Sequence, residues 1–201
     1  MKVKTIISIF ILSFFISMGL DAQYKVGDAI SDFNLKNVDN KNVSLSQYPS
    51  AKGFILVFTC NTCPYAVKYE KRIEQLNKDF SSKGYPVIAI SSNDVKVKPD
   101  DSFEEMQKKA KAEGFTFPYL YDESQEVASR FGATNTPHVY VVAKEGGKML
   151  VKYIGAIDNN VDDPSKADKK YVAEGVNLLL SGKDPVVNST KAIGCSIKWK
   201  K

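Results

Sequence analysis

Apolar residues change their period several times along this chain, and each change marks an element. Residues 6–20 are almost wholly apolar and follow Lys2 and Lys4. A basic start and an apolar stretch shorter than the ~20 residues that cross a bilayer together predict a signal peptide over residues 1–22. Cleavage after Ala22 leaves residues 23–201 as one exported domain, periplasmic or secreted, with no stable membrane insertion. Beyond it, Phe33 and Leu35 alternate with polar neighbours, Asp39-Asn40 supplies a turn, and Val43 and Leu45 alternate again. That pattern predicts a β-hairpin at one edge of the fold. Residues 54–58, FILVF, replace alternation with a continuous apolar run, the mark of a strand buried on both faces. Tyr69, Ile73, Leu76 and Phe80 then recur at helical spacing behind Pro64, a residue tolerated in a first turn. Residues 86–91, PVIAIS, make a second buried strand and complete a βαβ unit.

The second half continues in the same manner. A helix is predicted from Asp101 or Ser102 to Gly114, with Phe103, Met106 and Ala110 on its apolar side and Glu104 and Glu105 in its first turn. A short strand over 118–122 precedes a brief helix carrying Val127 and Phe131, closed by Gly132. Residues 138–143 and 149–154 read as strands joined at Glu145-Gly146-Gly147. A last helix is expected from about 166 to 180, with Val172, Val176 and Leu179 facing inward, while 93–101 and 158–168 read as polar loops. The class is α/β: a central mixed β-sheet flanked by helices, with an N-terminal β-hairpin extension.

Chemistry enters at Cys60-Asn61-Thr62-Cys63, placed where the central strand turns into a helix. Free N–H groups and the helix dipole stabilise a thiolate there, so the pair reads as a redox motif. The alternative is half of a metal site. It would have to draw its ligands from Cys60, Cys63, Cys195 and His138, the single histidine, and no second cysteine pair exists at comparable spacing. The redox reading is preferred, with no metal and no cofactor. Export fits it, because disulfides persist outside the cytoplasm. The formal charge of +5 is spread along the chain without a basic stripe interleaved with aromatics, which argues against nucleic acid as a partner.

The order hairpin, βαβ with C-x-x-C, helices, Thr136-Pro137, hairpin, helix resembles the thioredoxin-like fold. The N-terminal VGDAISDFNL, the CxxCPY motif, the segment YIGAID and the ending GCSIKW resemble more narrowly the peroxiredoxin-like group of the alkyl hydroperoxide reductase and thiol-specific antioxidant (redoxin) branch. The resemblance implies a cis bond before Pro137 and a Thr136-Pro137 loop beside the cysteines that binds the substrate chain. It implies an oxidoreductase acting on protein thiols or disulfides, with an unidentified electron donor, or alternatively a peroxidase acting on peroxide. One departure matters. Peroxidatic sites carry Pro-x-x-x-Thr-x-x-Cys, and counting back from Cys63 those places hold Leu56 and Cys60. A second thiol replaces the threonine, which favours a dithiol exchanger.

In that reading Cys60 and Cys63 are catalytic. Cys60 is expected to be exposed and to attack, Cys63 to be shielded and to resolve. Asn61-Thr62 brings no histidine or charge to acidify either thiol. A copper carrier using Cys60, Cys63 and His138 is a further alternative, although His138 reads more simply as a strand residue. Cys195 is either a third redox thiol or a small buried apolar residue.

Overall fold

A computed structural model describes residues 23–201, so the expected signal peptide lies outside the described residues. The continuous apolar run is β3 (Gly53–Thr59), and every one of its residues is buried. It pairs in parallel with β4 (Val87–Ser91), which pairs in parallel with β5 (Tyr119–Tyr121). On its other side β3 runs antiparallel to β7 (His138–Glu145), which turns into β8 (Lys148–Gly155). The N-terminal hairpin, β1 (Asn34–Asn37) and β2 (Asn42–Ser44), joins the opposite edge through β5. The result is a seven-stranded mixed sheet in the order β2-β1-β5-β4-β3-β7-β8.

Alternate residues of β3 serve opposite faces, since successive side chains on a strand point to opposite sides. Ile55 and Val57 pack with Tyr69, Ile73, Leu76 and Phe80 of α1 (Pro64–Phe80), with Met106 of α2 (Phe103–Glu113) and with Val172 and Val176 of α4 (Tyr171–Leu180). Phe54, Leu56 and Phe58 pack on the other face with Val127 and Phe131 of α3 (Glu126–Phe131) and with Phe33 and Leu45 from the N-terminal region. A strand with a core on each side has no freedom to shift, which fixes the point where Cys60 begins.

The last helix starts at Tyr171, later than the expected 166. Asp163 accepts from the Ser165 N–H and closes a single 3-10 turn at Pro164–Lys166, while the Asn159 side chain and backbone hold Lys169 in an extended stretch. Leu45, expected in the second hairpin strand, begins a 3-10 turn whose N–H groups are taken by the Asp32 carboxylate. An unpredicted two-stranded sheet also forms, between β6 (Asn135–Thr136) and β9 (Cys195–Ser196).

Candidate active site

The buried strand β3 delivers Cys60 at its C-terminal end, and two residues of turn carry the chain to Cys63, the residue that caps α1. Cys60 and Cys63 pack together with Ala66, and Cys195 from the C-terminal segment packs against them. All three cysteines are free thiols. The Thr136–Pro137 bond is cis, and Thr136 lies against the pair. Its hydroxyl is 3.3 Å from the Cys60 sulfur, and its carbonyl oxygen accepts from the Cys63 thiol at 3.0 Å. The residues expected to form the site are therefore brought to one place.

Accessibility differs from expectation. Cys60 and Cys63 are each only 3 % exposed, so exposure does not mark Cys60 as the attacker. The C-terminal segment lies over Cys63 through Cys195, which pairs with Thr136, whereas Cys60 is enclosed by Glu70, Ile73, Phe117 and Tyr119. Hydrogen bonding separates the two thiols instead. A hydrogen bond from Cys60 and a second from Cys195 hold the Cys63 thiol well below its ordinary value, against the effect of burial. The Cys195 N–H adds a donor 3.3 Å from the Cys63 sulfur, and the α1 N-terminus favours an anion there. Cys60 is pushed up by sharing its proton with Cys63, by burial and by the Asp101 carboxylate. Burial and the neighbouring Cys63 also push the Cys195 thiol up, to about 11.

Asp101 is the functional residue that the sequence pattern hid. It is fully buried, and one carboxylate oxygen accepts the backbone N–H groups of Asn61 at 2.8 Å and Thr62 at 3.1 Å. The other accepts the Thr62 hydroxyl at 3.1 Å and Asn93 Nδ2 at 2.7 Å. Asn61 is further held by donation from its own side chain to the Asp100 carbonyl and by the Tyr119 hydroxyl on its amide oxygen. A charge does therefore stand beside the Cys60–Cys63 turn, supplied from 39 residues downstream of Thr62, and it opposes a thiolate on Cys60. Asn93 links this carboxylate to the C-terminal segment, since its amide oxygen accepts the Lys198 N–H at 2.8 Å.

His138 is 8 % exposed, and its Nδ1 accepts the Thr134 N–H at 3.3 Å. Burial lowers its pKa to about 4, so the ring is neutral at pH 7 and serves the strand end. Among the described residues no group of three His, Cys, Asp or Glu side chains is arranged to hold a metal ion. Among the same residues no helix is long and apolar enough to cross a membrane.

Comparison with known proteins agrees with this architecture. The chain is 28 % identical to the thiol-disulfide oxidoreductase ResA of Oceanobacillus iheyensis over 130 residues, covering 61 % of this chain and 62 % of ResA. It is also 28 % identical to the chloroplastic peroxiredoxin Q of Oryza sativa subsp. japonica over 162 residues, covering 77 % of this chain and 66 % of that one. It thus spans a little under two thirds of each relative's length. A crystal structure of an uncharacterized conserved protein from Geobacillus kaustophilus superposes with a TM-score of 0.80 at 35 % identity, over 89 % of this chain and 94 % of that one. The fold is thioredoxin-like, with a mixed sheet between flanking helices. These relatives support an oxidoreductase acting through thiols. Residues 26–150 match the AhpC/TSA family, and the chain belongs to that family.

Proposed function

We propose that this protein is an exported thiol–disulfide oxidoreductase in which the Cys60–Cys63 dithiol–disulfide couple reduces or isomerises protein disulfides, with Thr136 and Pro137 forming the bed for the incoming chain. The observation that carries the reading is the convergence of Cys60, Cys63 and Thr136 at the end of β3, with a thiol where a peroxidatic site has threonine. Cys63 is the first nucleophile because Cys60 and the Cys195 N–H donate to its sulfur, the bond its thiol gives the Thr136 carbonyl being lost on ionisation, and Cys60 is the partner that closes the disulfide. The step balances. The Cys63 thiolate attacks a protein disulfide, one substrate sulfur leaves as thiolate, and Cys60 then displaces the second substrate sulfur to give the Cys60–Cys63 bond. Residues 1–22 direct export and are removed, so N-terminal sequencing of the secreted fraction should begin at Gln23.

Trapping tests the roles. With Cys63 as nucleophile, protein carrying both Cys60→Ser and Cys195→Ser accumulates mixed disulfides between Cys63 and partner proteins, and Cys63→Ser forms none. Adducts on Cys60 in Cys63→Ser protein would reverse the assignment. A second reading, a thiol-dependent peroxidase, is favoured by the acidity of Cys63, which occupies the reactive-cysteine position of the family. In that case brief treatment with hydrogen peroxide places sulfenic acid on Cys63 at a rate that outpaces disulfide exchange.

A further inference from the structure

The C-terminal segment does more than cover the thiols. It enters the site as an extended strand, with Thr136 opposite Cys195 and Asn135 opposite Ser196. Asn135 Nδ2 donates to the Gly194 carbonyl at 2.9 Å, and the Ile197 N–H donates to the Thr134 carbonyl at 3.0 Å. Ile197 is buried in the core on the α3 side of the sheet, and Lys198 is tied to Asn93. A Cβ at Gly194 would collide with the Thr136 carbonyl, so the close approach depends on glycine there. These contacts fix the register, and the register places Cys195 on the Cys63 sulfur. The Cys195 N–H reaches that sulfur, and the Cys195 thiol hydrogen-bonds with it. Cys63 is thus the sulfur that both other cysteines touch. Cys195 itself is more exposed than the pair.

From this juxtaposition we infer that Cys195 is a third redox thiol, carried on a built-in strand that occupies the bed beside Thr136, and that oxidised protein interconverts between a Cys60–Cys63 and a Cys63–Cys195 disulfide. The inference rests on the Cys60–Cys63 pair being redox-active. A small disulfide such as glutathione disulfide first takes two electrons from the pair and leaves as two glutathione thiols. The Cys195 thiolate then attacks the Cys63 sulfur. The bond between Cys63 and Cys195 forms, the bond between Cys60 and Cys63 breaks, and Cys60 leaves as a thiolate that takes up the proton Cys195 released. No electrons are gained or lost in this second step. Its outcome is an oxidised protein in which Cys60 is a free thiol.

Tryptic mapping separates the two states. Residues 53–68 form one peptide containing both Cys60 and Cys63, and residues 192–198 form another containing Cys195. A Cys60–Cys63 bond stays within the first peptide, whereas a Cys63–Cys195 bond joins the two. Monomeric protein equilibrated with glutathione disulfide, acid-quenched, alkylated and digested should contain the joined pair in the wild type. In Cys60→Ser and Cys60→Ala the joined pair should be the main oxidised species, and it should vanish in Cys195→Ser. If both Cys60 variants carry only glutathione on Cys63, with no joined pair, the third-thiol role is overturned. If wild-type protein forms no disulfide within peptide 53–68 and no glutathione adduct, the redox reading of the pair itself fails.

Discussion

Two chain segments enclose the thiols, and they are held by different physics. The Cys60–Cys63 turn is fixed from inside by one fully buried carboxylate that satisfies two backbone N–H groups, a hydroxyl and an amide at once. The C-terminal strand is held by an edge ladder two residues long, by buried Ile197 and by hydrogen bonds with the Asn93, Asn135 and Gln125 side chains, while Ile193 and Trp199 beside it are exposed. A buried polar hub is costly to disturb, because each stranded group loses its partner without regaining water. A short edge ladder is cheap to open, because its groups meet solvent at once. The comparison places rigidity on the side that shapes the sulfurs and reversibility on the side that covers them.

The largest expected effect breaks the first side. Asp101→Ala strands the Asn61 and Thr62 N–H groups and the Asn93 amide, and should lower the unfolding free energy by about 3 kcal/mol or more in urea titration. A loss under ~1 kcal/mol would mean that water replaces the carboxylate and that the turn is not held as described. Next comes the second side. Ile197→Ala should cost about 2 kcal/mol, at the low end for a buried aliphatic side chain because it sits near the end of the chain. Hydrogen exchange should show the loss at Thr136 and at residue 197, whose N–H bonds the Thr134 carbonyl, with Val57 unchanged. Equal loss at Val57 would make the two sides one cooperative unit.

Gly194→Ala sharpens the contrast further. The new methyl group collides with the Thr136 backbone and lifts the strand, so alkylation of Cys63 should accelerate severalfold at a stability cost of roughly 1 kcal/mol or more. Unchanged alkylation would show that β9 does not limit access. The smallest effect is in pH dependence. Because the Cys63 thiol is lowered from an ordinary value of about 8.5, its thiolate persists through neutral pH and is lost only as pH falls through the folded-state value. Iodoacetamide labelling of Cys63 should therefore be nearly flat between pH 6 and 8, whereas Cys195, shifted upward, should gain reactivity only in alkali. A Cys63 profile that climbs steeply near 8.5 would remove the case for Cys63 as first nucleophile.

Local periodicity explains what was legible beforehand. The run at 54–58 and the stripe from Tyr69 to Phe80 became β3 and α1 because burial on two faces and on one face leave distinct patterns. Only the family resemblance brings Thr136-Pro137 beside the cysteines, since 73 residues separate Thr136 from Cys63 and no period spans them. Asp101 belongs to a stretch whose sequence reads as a polar loop, because a buried aspartate and a solvated one look alike in sequence. The pairing of Cys195 with Thr136 was equally silent, because a two-residue strand carries no alternation to detect. The exposure expected of Cys60 fails because side chains from α1 and from residues 109–119 close over it, contacts that no local pattern announces.

The placement of β3 bears on heat tolerance. Its amides pair with strands on both sides, so they belong to the part of the molecule that opens only when everything opens. Cys60 is bonded directly to that strand's last residue. Fraying at the C-terminal edge can therefore come and go many times during warming without displacing this sulfur from its anchor. Thiol reactivity should rise gradually with temperature before the melting point and jump at it, with no intermediate range in which the cysteine turn has lost its shape while the sheet survives.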